Sequence, residues 1–129
     1  MTSAEQTAEN IQLVSGSAEL VQWSVQRAGD EVTVAFVGEV DISNETALGL
    51  ALAEVVGTEP ARIAIDLAGV SFLDASGVRC LLNVAKQAAT AGSAMVVCRP
   101  VGIVLRVLEI CGVDALLLSR SDGDGSEGQ

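Results

Sequence analysis

Ile63-Ala-Ile-Asp-Leu-Ala-Gly-Val-Ser-Phe-Leu-Asp-Ala-Ser-Gly-Val-Arg-Cys-Leu-Leu82 is the stretch that decides the fold. From Arg62 to Leu67 it is almost continuously apolar, broken by Asp66, which suits a short strand covered on both faces as in a parallel sheet. Gly69 predicts a turn, after which Phe72-Leu73 re-enters the core. A helix is then predicted from Ser76 to Ala91, with Val78, Leu81, Leu82, Ala85, Ala88 and Ala89 as its inner stripe. Gly92 ends it. A hydroxyl and a carboxylate, Ser76 and Asp74, stand together at the helix start, where both are favoured as caps.

Working outward, Leu20 to Gln26 alternates in polarity and Val32 to Val37 resumes the alternation after Ala28-Gly-Asp30, which predicts a hairpin. A helix follows, capped by Ser43 or Asn44, with Leu48, Ala51, Leu52 and Val55 at the spacing of a buried stripe. Gly57 ends it. Downstream, Ala94 to Cys98 reads as another apolar strand. Pro100 introduces a third helix with Val101, Val104, Leu105, Leu108 and Cys111 facing inward, and Gly112 closes it. Leu116 to Leu118 is a final short strand or a helix extension. Residues 1–18 read as a flexible arm with an optional contact through Ile11, Leu13 and Val14, residues 19–118 as the domain, and residues 119–129 as a disordered acidic tail. A hairpin feeding alternating helices and strands predicts one α/β domain, with a mixed sheet of four to five strands and helices packed against it.

Composition narrows the function. The chain has 129 residues, half of them hydrophobic, but one Trp, two Phe and no Tyr, so base or sugar stacking on aromatic platforms is not expected. Seventeen acidic residues against seven basic ones give a net charge of −10. That disfavours nucleic acid and anionic membrane surfaces and makes a basic protein partner the easier fit. With no histidine, Ser-His-Asp catalysis, histidine metal sites and histidine pH switches are excluded. Three cysteines without a Cys-x-x-Cys suggest neither a zinc cluster nor a disulfide framework. Apolar runs stay short of the roughly 18 residues that signal a membrane span, so a cytoplasmic protein is expected. Glu39, Asp41 and Asp74 lack ligand spacing, and no metal or other cofactor is expected.

Gly38-Glu-Val-Asp41, followed further along by Val70-Ser-Phe-Leu-Asp-Ala-Ser-Gly-Val-Arg79, resembles the STAS domain, in particular bacterial anti-sigma factor antagonists. Ile103 to Asp114 also resembles the family's late helix. The resemblance implies a binding switch and no enzyme. Antagonists of this family bind an anti-sigma factor that is itself a serine kinase and so release a sigma factor. The kinase phosphorylates the antagonist at the head of the helix after the central loop, and a phosphatase reverses it. The phosphate goes on the residue directly after the loop Asp, and here that slot holds Ala75. Three readings stand: Ser76 takes the phosphate instead, the protein is permanently able to bind, or it has left the circuit while keeping the fold. Two further functions share the fold, a STAS subunit docking on the ATPase of a lipid-transport ABC complex and a stressosome-like scaffold or sensor.

The docking surface implied is Asp41, Asp74, Ala75, Ser76 and Gly77, with an outer helix stripe of Ser76, Cys80, Asn83 and Gln87 flanked by Arg79. Ser76 is the phosphoacceptor candidate, and also a plain helix cap. Cys80 is expected to be exposed near a helix N-terminus, which makes it a redox candidate beside its reading as an incidental thiol. Cys98 and Cys111 are expected in the core.

Overall fold

The computed structural model describes residues 11–112. Five strands form one mixed sheet: β1 (Ile11–Ala18), β2 (Val21–Ala28), β3 (Glu31–Val40), β4 (Arg62–Leu73) and β5 (Ala94–Cys98), in the order β1-β2-β3-β4-β5. The first three run antiparallel and β3, β4 and β5 run parallel. Helices α1 (Glu45–Gly57) and α2 (Ala75–Ala91) make the two parallel crossovers, and α3 (Gly102–Ile110) follows β5 and packs on β4. The expected fold class is the observed one.

The period of two puts Val32, Val34 and Phe36 of β3 on one face, beside Ile63 and Ile65 of β4. These side chains meet Leu48, Leu52 and Val55 of α1, Val78, Leu81 and Val84 of α2, and Val104 and Leu108 of α3 in one aliphatic core. Trp23 and Phe36 add a tilted ring pair with centroids 6.0 Å apart.

Several expectations change. Residues 11–18, read as part of the arm, are strand β1. Gly69 is no turn: β4 runs unbroken from Arg62 to Leu73, and Gly69 pairs with Val37 inside a register shift of the β3–β4 ladder. Cys111 is exposed and Cys98 is half-buried, because α3 stops at Ile110 and its buried side chains are Val104 and Leu108. The expected element at Leu116–Leu118, the tail 119–129 and the first ten residues of the arm lie outside the described residues.

Two glycines set how the elements close on one another. Gly38 sits at φ +124°, and a Cβ there would fall on the carbonyl oxygen of Leu20. That same oxygen accepts a hydrogen bond from Glu39 N at 2.9 Å, so the β1–β2 turn is clamped onto the end of β3. Gly77 lies in the first turn of α2, where a Cβ would run into Leu73 Cδ1 and come within 2.9 Å of Val40 Cγ1. Its bareness lets the helix head sit directly on the ends of β3 and β4.

Candidate functional site

At the ends of the parallel strands β3 and β4 the chain makes the same turn twice. Asp41-Ile-Ser43 follows β3 and Asp74-Ala-Ser76 follows β4. Val40 and Leu73 are register partners, and Asp74 N donates to Val40 O at 3.3 Å, so the turns lie side by side. In each, one carboxylate oxygen accepts from the backbone N–H and the hydroxyl two residues on. For Asp41 Oδ1 the distances are 2.9 Å from Ser43 N and 2.6 Å from Ser43 Oγ. For Asp74 Oδ1 they are 3.0 Å from Ser76 N and 2.6 Å from Ser76 Oγ, with Gly77 N adding a second backbone donor at 3.2 Å. Asp74 is therefore the N-cap of α2, the role expected of Ser76, and the helix begins at Ala75.

The first turn is pinned from below by Asn44, which is 1 % exposed. Its amide donates to the carbonyls of Glu19 and Glu39 at 2.5 and 2.8 Å, and its oxygen accepts from Asp41 N at 3.1 Å. Ser43 or Asn44 was expected to cap α1, and Asn44 is the N-cap residue, but its side chain makes no cap hydrogen bond. It instead ties the β1–β2 turn, the end of β3 and the head of α1 together.

What this rigid frame presents outward is the middle residue of each turn. Ile42 is 75 % exposed and Ala75 is exposed, and Phe72, near the end of β4, is 42 % exposed. Ser76 faces inward at 5 % exposure with its hydroxyl proton already directed at Asp74. The exposed side of α2 continues through Arg79, Asn83, Lys86 and Gln87. Arg79, Asn83 and Gln87 line a groove closed on its far side by Glu45, Thr46, Gly49, Leu50 and Ala53 of α1.

Three residues expected on the docking surface, Ser76, Gly77 and Cys80, are thus buried. At about 100° per residue the buried face of α2 is turned roughly a quarter turn from the expected stripe. It runs through Gly77, Cys80, Leu81, Val84 and Ala88, whereas Ala89 is exposed and Leu82 and Ala85 are half-buried. The cause is close packing of α1 on α2: a Cβ on Gly49 would already touch Cys80 Sγ at 3.7 Å. Small side chains fill that contact.

The exposure expected of Cys80 is therefore corrected: its thiol is buried. Burial, and then the Glu45 carboxylate nearby, push its thiol up to about 11, and its Sγ lies 3.6 Å from Glu45 O. A thiol so shifted is overwhelmingly protonated at neutral pH and unreactive. Native protein at pH 8 is expected to label first at Cys111 with a thiol reagent, and at Cys80 only after denaturation. A Cys80 adduct formed without unfolding contradicts this.

Asp74 titrates in the opposite sense. Burial alone raises its carboxyl, but the Ser76 hydroxyl and the N–H groups of Gly77 and Ser76 outweigh burial and hold it below the ordinary carboxylate value. A depressed folded-state pKa means stability that is present above the unfolded value of about 3.9 and is lost as pH falls through the folded one. Asp74→Asn keeps an acceptor oxygen without the charge. Its deficit against wild type in urea denaturation is expected to be about 1 kcal/mol at pH 7 and to close below pH 4. A deficit independent of pH overturns the charge-assisted cap.

Glu39, Asp41 and Asp74 do not form a metal-binding group, and among the described residues no cluster of potential ligands does. No helix among them is long and apolar enough to cross a membrane. Sequence reasoning missed Ile42, Leu50 and Phe72 at the site. The signal available was the shared pattern of Val40-Asp-Ile-Ser43 and Leu73-Asp-Ala-Ser76.

The family model described as "Mlab, STAS domain" matches residues 23–119, from β2 to beyond α3. The chain belongs to the STAS family. Solved structures carry the same STAS fold at low identity. An anti-sigma factor antagonist from Mycobacterium paratuberculosis is 21 % identical with a TM-score of 0.62, over 83 % of this chain and 82 % of that one. The unphosphorylated anti-sigma factor antagonist SpoIIAA is 16 % identical with a TM-score of 0.62, over 88 % and 92 %. The murine anion transporter Slc26a9 is 18 % identical with a TM-score of 0.61, over 70 % of this chain and 15 % of that one. No curated protein matches the chain. The STAS frame thus occurs both as a small chain of its own and as a small part of a transporter, so function has to be argued from the turns.

Proposed function

We propose that this STAS protein is a cytoplasmic anti-sigma factor antagonist that is permanently able to bind. It docks on an anti-sigma factor of the serine-kinase type and thereby frees a sigma factor for transcription. It is a binding protein and performs no chemistry of its own. The docking surface is Asp41 with Ile42, Phe72, Asp74 with Ala75, and the exposed side of α2 through Arg79, Asn83 and Gln87.

The observation that carries this reading is the state of the two candidate acceptor positions. Ala75, the exposed slot after the loop aspartate, has no hydroxyl, and the Ser76 hydroxyl is buried and donated to Asp74 at 2.6 Å. A kinase needs an accessible hydroxyl, so Ser76 does not replace the missing acceptor. Phosphorylation adds about −1.5 to −2 charge to such a surface at pH 7. Without it the surface keeps one charge state, and a phosphatase has nothing to reverse.

A fixed surface of this kind also suits a constitutive subunit, here one docked on the ATPase of a lipid-transport ABC complex. Calorimetric titration of the full chain with the anti-sigma kinases and with the transporter ATPases of its own genome separates the two. Saturable binding to a kinase, unaffected by prior incubation with ATP, is the expected result. Binding to an ATPase alone moves the function to transport, and binding to neither overturns the docking reading.

A further inference from the structure

Resting on that docking reading, we infer that the partner's face opposite α2 is acidic around an apolar centre, although the chain as a whole is itself strongly acidic. The net charge of −10 points to a basic partner, but the charge on this surface is distributed the other way. Helix α2, Ala75–Ala91, contains Arg79 and Lys86 and no acidic residue. Seven positions apart, they lie on one line of the helix, about two turns from one another. Both are exposed, and neither is ion-paired among the described residues, whereas Arg62 and Arg99 are paired with Glu31 and Asp66. Two unneutralised cations thus stand in a row on the docking face.

The two aspartates at the strand ends are tied into the frame. Asp41 and Asp74 have their Oδ1 oxygens engaged by the donors of their own turns. Glu45, on the α1 side of the groove, has its Oε1 buried without a hydrogen-bond partner and so turned away from solvent. The remaining groove wall, Thr46, Gly49, Leu50 and Ala53, is uncharged, and Leu50 is 66 % exposed. Leu50 gives the groove an exposed apolar wall facing Arg79 on α2, and Ile42 and Phe72 add exposed apolar side chains at the strand ends. A surface complementary to it offers aliphatic or aromatic side chains to Leu50, Ile42 and Phe72, and carboxylates to Arg79 and Lys86. Such pairing steers encounter and fixes register, and it weakens with salt because charges at an exposed rim are screened within about 8 Å at physiological ionic strength.

The test uses the full chain and the partner that binds it in the titration above, followed by surface plasmon resonance at several salt concentrations. Arg79→Glu with Lys86→Glu is expected to weaken binding at least ten-fold, mainly through the association rate, and to abolish the fall of that rate with salt. Arg62→Glu with Arg106→Glu changes net charge equally at positions outside α2 and is expected to leave binding within two-fold. Both pairs are exposed, and circular dichroism is expected to show wild-type folds. Equal binding by wild type and the α2 pair, or equal losses in both pairs, overturns the acidic partner face and leaves docking standing. Failure of wild type to bind any candidate overturns docking, and this inference with it.

Discussion

Gly38→Ala is expected to be the most damaging single substitution in the domain. It combines two costs: an L side chain at φ +124°, and a Cβ placed on the Leu20 carbonyl oxygen. The oxygen is main chain and is held by Glu39 N and by the hairpin turn, so it cannot rotate away as a side chain would. Overpacking against fixed atoms costs about 1–3 kcal/mol and a strained backbone about as much again, so a loss of roughly 3 kcal/mol or more is expected. For a domain of this size that lowers the thermal midpoint by roughly 10 °C or more. Gly92→Ala is the internal comparison. Gly92 has φ +88° but open space around it, so it carries the conformational cost alone, about 1–2 kcal/mol. Thermal unfolding of the two variants checks this, and equal midpoints would mean that the turn yields and the clamp on β3 is weak.

Ala75→Glu is expected to have the largest effect on binding with the smallest effect on folding. Ala75 is exposed at the first position of α2, where a negative side chain complements the helix dipole by about 0.3–1 kcal/mol. Unfolding is therefore expected to be unchanged or slightly harder. At the centre of the docking surface the same charge stands among Ile42, Phe72 and the two turn carboxylates. It then has to be desolvated on docking against a partner face argued to be acidic. A loss of at least a hundred-fold in affinity is expected, corresponding to about 2.7 kcal/mol or more. A variant that is stable and binds as wild type places the interface elsewhere.

The parts of this molecule that were legible in its sequence are those with strong hydropathy contrast. The alternation from Val32 to Val37, the apolar run around Ile63 and Ile65, and the helix ending at Gly92 all lie where they were expected. Strand β1 was not legible because Ile11–Ala18, IQLVSGSA, has mixed polarity and pairs on one side only among the described residues. The break expected at Gly69 became a register shift because the parallel partner β3 pairs on both sides of it. The rotation of α2 was missed for a different reason. Gly77 and Cys80 were read as surface positions because a glycine and a lone thiol carry no strong core signal, while contact with α1 selects small size over hydrophobicity. That displacement exchanged Cys80 for Lys86 at the surface.

The site was legible in motif and illegible in geometry. Asp74-Ala-Ser76 marked the place, but only the structure pairs it with Asp41-Ile-Ser43 through the Val40–Leu73 register and turns the Ser76 hydroxyl inward. Ile42 had no meaning in the sequence because its exposure depends on Asn44 drawing the turn down onto the sheet.

The central claim is that the head of α2 is a docking surface with no covalent switch. It is tested most directly by incubating wild type and Ala75→Ser with the bound kinase and ATP, then weighing the intact proteins. Wild type is expected to stay at its unmodified mass and remain bound, while Ala75→Ser gains one phosphate and dissociates. A phosphate on wild type that disappears in Ser76→Ala would contradict the claim.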